Sequence, residues 1–177
     1  LRVEERRVSW EILDAWREAA DETGIPKIEE YNRGDNFGTA YFQMNQRRGR
    51  RWSAAHAFLN PARSRSNLTI LTGAMVQGLE LSSASEELRA TGVRARIDNG
   101  PEQVFKATTE VVLAAGSIVS PQLLQLSGIG PAPLLEKHGI KVQKELPGVG
   151  ENLQDHLQIR TVYKVSNTIT LNQLYHS

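Results

Sequence analysis

Apolar residues recur at helical spacing near the start of the chain. Ile12, Leu13, Trp16, Ala19 and Ala20 fall on one face, with charged residues between them. The pattern predicts an amphipathic helix whose apolar stripe, Trp16 included, faces a core. Ser9 is placed to cap this helix, and Gly24 and Pro26 to end it. From residue 29 to residue 46 the periodicity dissolves, and Asn32, Gly34, Asp35, Asn36 and Gly38 predict a loop region. Ser53 then caps a short predicted helix over residues 54–59, which Asn60 and Pro61 stop.

The middle of the chain changes period. Residues 68–72 (LTILT) predict one strand, and residues 75–81 a second, interrupted by Gly78. Residues 82–87 are polar and read as a turn. Val93, Ala95 and Ile97 alternate with Arg94, Arg96 and Asp98, as on a half-exposed strand. Asn99-Gly100 is a hairpin signal, after which residues 102–108 pair back. Residues 76–108 are therefore expected to form a small antiparallel sheet. The run VVLAA at 111–115 is continuously apolar, the pattern of a strand covered on both faces in a parallel sheet. It leads into Gly116 and a helix with Ser120 as cap and Pro121 at its first position. Leu123, Leu124 and Leu126 give that helix an apolar side, and Gly128 ends it. A second short helix over about residues 133–138 stops at Gly139. Ile140, Val142 and Leu146 lie in extended chain, and residues 147–156 make a turn region. Leu157, Ile159, Thr161, Tyr163 and Val165 then alternate with polar positions, an amphipathic strand with one wet face.

Composition narrows the class. The chain has 177 residues, 40% hydrophobic and 23% charged, as in a globular domain. It opens at Leu1 in a charged segment and ends at Ser177, so it is expected to be an internal fragment of a longer protein. No apolar run approaches the ~20 residues that span a bilayer, and no signal-peptide pattern opens the chain, so no transmembrane segment is expected. There is no cysteine, which excludes disulfides and thiol chemistry and fits a reducing, cytoplasmic setting, with peripheral membrane association as the alternative. The net charge of +1 argues against a nucleic-acid partner. The cluster Arg47, Arg48, Arg50 and Arg51 reads as a solvated turn before a helix. His56 has no His, Asp or Glu at metal-like spacing and reads as a surface or packed histidine; no metal site is expected.

The candidate chemistry lies at residues 109–127. Ala114, Ala115 and Gly116 have almost no side chain, so a ligand can approach the backbone. The following helix points free N–H groups at the same spot. On the residues alone this is either a nucleotide-type site or a well-packed strand–helix turn.

The order Gly116-Ser117, Ser120-Pro121, Leu123-Leu124, Ser127-Gly128-Ile129-Gly130 resembles the second signature of the glucose–methanol–choline (GMC) oxidoreductases. The resemblance extends over nearly the whole chain. Gly24-Ile25-Pro26 looks like the family's G-x-P turn, and residues 49–61 like its G-x-R-W-S…A-F-L-x-P block. Residues 67–76 look like the strand that approaches the adenine, and residues 147–156 like the P-G-V-G-x-N-L-x-D-H block. Thr170-Leu171-Asn172 and Ser177 are similar to the choline-dehydrogenase-like branch.

The resemblance implies an α/β fold, α+β as a fragment: part of a Rossmann-type FAD-binding domain with part of an antiparallel-sheet substrate domain. Residues 1–60 belong to the substrate domain and connecting segment, 61–156 to the FAD-binding domain and 157–177 to the start of the substrate-domain sheet. It implies an FAD enzyme that oxidises a small-molecule alcohol, choline-like or another primary alcohol, by hydride transfer to the flavin. Val76, Ala115, Gly116 and Ser117 are the implied cofactor-binding residues. Ser120, Pro121, Ser127 and Gly128 read as architectural.

Two features of the family pattern are missing. No strand–GxGxxG–helix is present; Gly148-Val149-Gly150 follows no buried strand and lacks the last glycine. Nothing matches the family's catalytic histidine, so no catalytic residue is assigned to this chain. Asp155-His156 are neighbours on extended chain and point to opposite faces, which favours a loop-fixing hydrogen bond over an acid–base dyad. Two alternatives stay open: a GMC-fold lyase with non-redox FAD, and a non-catalytic nucleotide-binding module.

Overall fold

The computed structural model describes residues 1–82, 87–170 and 172–173. It divides into two compact units, Leu1–Thr69 with Arg160–Ser177, and Ile70–Ile159. Leu171, His176 and Ser177, and most of the expected turn at 82–87, lie outside the described residues.

In the first unit, helix α1 spans Glu11–Glu22. Its N-cap is Trp10, in extended conformation and without a side-chain cap bond, so Ser9 does not cap it. Glu11 and Asp14 in the first turn complement the helix dipole instead. The end is as expected. Gly24 adopts φ 89°, Ile25 N–H bonds the Ala20 carbonyl at 3.0 Å and Gly24 N–H bonds that of Asp21 at 3.0 Å, which closes the last turn. The apolar stripe is not a packed core. Ala20 is buried, but Trp16 is 47% exposed, because this unit lays no sheet or second long helix against it among the described residues.

The loop region is held by single bridges, Glu4 with Met44 and Lys27 with Thr39. A two-strand hairpin follows, β1 Gln46–Arg47 and β2 Arg50–Arg51, turning through Arg48 and Gly49 at φ 51° and 77°. Its four arginines are exposed, as a solvated turn requires. A π-helical turn, Ala55–Leu59, runs on into α2, Asn60–Ala62. Asn60 and Pro61 therefore do not stop the helix. Pro61 falls in the first turn of α2, where its missing N–H costs no bond.

In the second unit, β3 (Ala74–Ser82), β4 (Arg89–Ile97) and β5 (Glu102–Lys106) form the expected antiparallel sheet in sequential order. Val76 faces Ala95 and Gly78 faces Arg94, so Gln77 is the extra residue of a β-bulge. Leu79 and Ala95 are buried in this sheet. The hairpin turns on Asp98 and Asn99, at φ 48° and 60°, with Gly100 N–H bonded to the Ile97 carbonyl at 2.8 Å. The turn is one residue earlier than Asn99-Gly100, because Asp and Asn tolerate the left-handed region almost as glycine does.

Helix α3 spans Gly116–Leu126 and so begins four residues before the expected cap, with Pro121 inside it. After it, β6 (Ile129–Gly130) pairs in parallel with β7 (Lys144–Glu145) around α4, Ala132–Lys137. Leu135 of α4 is 1% exposed and anchors this corner. Gly139, at φ 68°, ends α4 as expected.

Three expected strands do not form. Residues 68–72 and 157–165 pair with no strand among the described residues, and Leu157 is 93% exposed. Residues 111–115 are also unpaired, and Val112 is 75% exposed. A strand covered on both faces is held by neighbours on both edges, and no described strand runs beside this one. The result is a mixed helix-and-sheet chain.

Candidate functional site

The head of α3 is built by three local devices. Ala115 is the N-cap, Gly116 follows at φ 90°, and the Ser120 Oγ reaches back to accept the Ala115 N–H at 3.1 Å. Ser120 thus satisfies the cap from inside the helix rather than starting it. The Gly116, Ser117 and Ile118 N–H groups have no carbonyl to bond within the helix and stay free as donors. No acidic residue stands in the first turn to neutralise the positive end of the dipole. Gly116 is required by its backbone angle rather than by crowding, since a Cβ there meets nothing within 4 Å.

Beside this head lies a groove of about 660 Å³. Ser117, Ile118, Gln122 and Gln125 form its helix wall, and residues 150–154 its loop wall. Gln125 Nε2 donates to the Val149 carbonyl at 3.0 Å and holds the loop to the helix. Glu151 is the one charged residue lining the groove, so it offers an anion no cationic side chain. Its polar character comes from amides, a hydroxyl and the free N–H groups, which suits the uncharged hydrogen-bonding part of a nucleotide better than a phosphate.

Ala115, Gly116 and Ser117 stand together at one exposed turn, and of the three Ser117 lines the groove. Val76 lies on β3, half-buried, and does not line the groove. β3 meets α3 at the helix's other end, where the Leu79 N–H bonds the Ser127 Oγ at 2.8 Å. Sequence reasoning missed Gln122, Gln125 and the loop wall. The i, i+3 spacing of the two glutamines opposite a Gly-rich turn was the available signal.

Among the described residues no histidine forms an ion pair with a carboxylate. His56 is exposed, bonds the Ser53 hydroxyl through Nδ1 at 3.0 Å and packs beside Trp52. Asp155 accepts the backbone N–H of His156 at 2.8 Å, the loop-fixing arrangement rather than a dyad. Among the described residues no group of His, Asp and Glu could hold a metal ion, and no helix is long and apolar enough to cross a membrane.

A family model described as GMC oxidoreductase matches residues 1–158. The chain is 42% identical over 161 residues to an oxygen-dependent choline dehydrogenase of Photobacterium profundum, covering 91% of this chain and 28% of that protein. It is 41% identical over 172 residues to the mitochondrial choline dehydrogenase of Homo sapiens, covering 97% of this chain and 28% of that protein. Among solved structures, pyridoxine 4-oxidase from Mesorbium loti superposes with a TM-score of 0.73 at 34% identity, over 82% of this chain and 28% of that one. A fungal aryl-alcohol oxidase superposes with a TM-score of 0.77 at 27% identity, over 83% and 24% respectively. The chain thus spans about 28% of the length of the curated relatives it matches.

Proposed function

The chain belongs to the GMC oxidoreductase family, and on that premise we propose that it supplies one wall of the FAD site in an enzyme that oxidises the CH–OH group of a choline-like or other primary alcohol to an aldehyde. The observation that carries this reading is the 41–42% identity to choline dehydrogenases over nine-tenths or more of the chain.

The residues at the head of α3 fit the cofactor. The small exposed turn and free N–H donors allow a flat polar ligand to approach the backbone, and the open space at Gly116 leaves room for it. Ala115, Gly116 and Ser117 would hold the adenosine part, with the backbone of Val76 on β3 as a further contact. FAD, when bound, supplies the two-electron acceptor for the hydride of the carbinol carbon. This chain's contribution is binding and orientation, and the base that takes the hydroxyl proton is assigned to no residue here. Residues 61–156 are read as part of the FAD-binding domain, and residues 1–60 and 157–177 as parts of the substrate domain. A reducing, cytoplasmic setting belongs to the same reading, supported by the cysteine-free composition.

The test is anaerobic addition of choline to the full-length protein. Bleaching of the flavin absorption band is expected. A full-length protein that binds no flavin, or a bound flavin left oxidised by choline and by simple primary alcohols, sinks the proposal.

A further inference from the structure

Ser127 closes the C-terminal end of α3 and is 9% exposed. Its Oγ donates to the Leu123 carbonyl at 2.6 Å and accepts the Leu79 N–H at 2.8 Å. One hydroxyl thus uses its donor on its own helix and an acceptor site on β3, across 48 residues of sequence. A second observation marks the same contact. A Cβ added at Gly78 would stand 2.8 Å from Arg94 Nη2 and 3.2 Å from the Ser127 Oγ, so the strand backbone lies hard against the helix end. Gly78 and Leu79 directly follow the bulge at Gln77, beyond which lies Val76.

The consequence is geometric. The candidate cofactor contacts are split between two elements, Val76 on β3 and Ala115, Gly116 and Ser117 at the far end of α3. The eleven residues of α3, with Pro121 inside the helix, make a rod roughly 16 Å long at 1.5 Å per residue. A ligand held from both elements needs their separation fixed to a fraction of an ångström. Where the rod is bolted to the strand decides that separation.

We propose that Ser127 is a positioning residue for the cofactor: its hydroxyl, bridging Leu123 and Leu79, sets the placement of the head of α3 relative to Val76. This rests on the reading that these two elements line the FAD site. A neutral side chain of similar size without the hydroxyl leaves the Leu79 N–H buried and unpaired, and the strand then shifts or twists to find a partner.

The test uses the full-length protein stripped of flavin. FAD dissociation constants come from flavin fluorescence, and thermal unfolding of the same samples gives the folded fraction. Ser127→Ala is expected to weaken FAD binding about tenfold per folded molecule, the size of one buried hydrogen bond lost from a preorganised site. Ser127→Thr keeps the hydroxyl and is expected to bind within about threefold of the parent, well short of that tenfold loss. A Ser127→Ala protein with a lower melting temperature but unchanged affinity in its folded fraction overturns the proposal, since that is the behaviour of a purely structural serine. If Ser127→Ala does not fold, Ser127→Cys, nearly isosteric with a weaker acceptor, is held to the same two outcomes. Ala115→Gln separates the underlying reading. It places a long side chain in the turn, and unchanged FAD affinity there overturns the site assignment itself, whatever the Ser127 variants do.

Discussion

Tyr41 in the first unit donates its hydroxyl to Asp14 and lies with its ring against the Arg6 guanidinium. Arg17 is 5.1 Å from the ring centre. Burial raises the Tyr41 pKa above its ordinary value, and the bond to Asp14 adds to the rise. Lys27 is raised too, chiefly by its hydrogen bond to Glu18. In both cases the folded state holds the proton more tightly than the unfolded chain. The stabilisation is therefore complete below the unfolded pKa and is lost as pH rises through the folded one. Alkaline conditions, above about pH 10 for these groups, are expected to loosen the first unit. The check is urea denaturation at two pH values on either side of that point. Tyr41→Phe is expected to be less stable at neutral pH, having lost the Asp14 bond, and to lose less on going alkaline. An equal alkaline loss in both proteins would remove Tyr41 from the account.

Among the elements, the β4–β5 hairpin depends on two non-glycine residues in the left-handed region, Asp98 and Asn99. Alanine at either position costs roughly 1–2 kcal/mol. Asn99→Ala is expected to lower the denaturation midpoint of the second unit accordingly, while Asn99→Gly changes it little; equal effects would mean the side chain, not the backbone angle, matters. This hairpin, the end of α1, α4 and the antiparallel sheet were legible because their signals are local. A Gly after a helix, a polar pair in a turn and a period of two act within a few residues. Residues 111–115 and 157–165 carry equally clear apolar patterns, yet neither is a strand. A strand is completed by hydrogen-bond partners that can come from anywhere in sequence, and pattern alone does not say whether the chain contains them. The α3 head was misread for a related reason. Ser120 and Pro121 have the residue types of a helix start, but Ser120 bonds back to Ala115 and shifts the start to Gly116. Of the candidate site, the small-residue turn was legible. The groove wall at 150–154 was not, because the Gln125 bond that sets it is tertiary.

For the whole chain, the mismatch between apolar pattern and available cover leads to one expectation. The 177 residues alone are expected neither to retain FAD nor to oxidise alcohols, since their sequence holds no strand–GxGxxG–helix and no match to the family's catalytic-histidine motif. Exposed Leu157, Ile159 and Val162 are expected to bind a hydrophobic dye and to promote self-association. A flavin band that co-purifies with this chain, or turnover of choline with a dye acceptor, would contradict the first part; a monodisperse, dye-silent protein would contradict the second. The unpaired segment at 111–114 also has a use in solution. Its amide protons have no backbone acceptor among the described residues and should exchange with solvent close to the rate of an unstructured peptide, while those inside β3 and β4 are retained. In the full-length protein the same four amides are expected to slow by orders of magnitude once flanking strands take them up. Their exchange rate is then a clock for assembly: it reads, residue by residue, the moment at which this part of the polypeptide stops being an isolated piece.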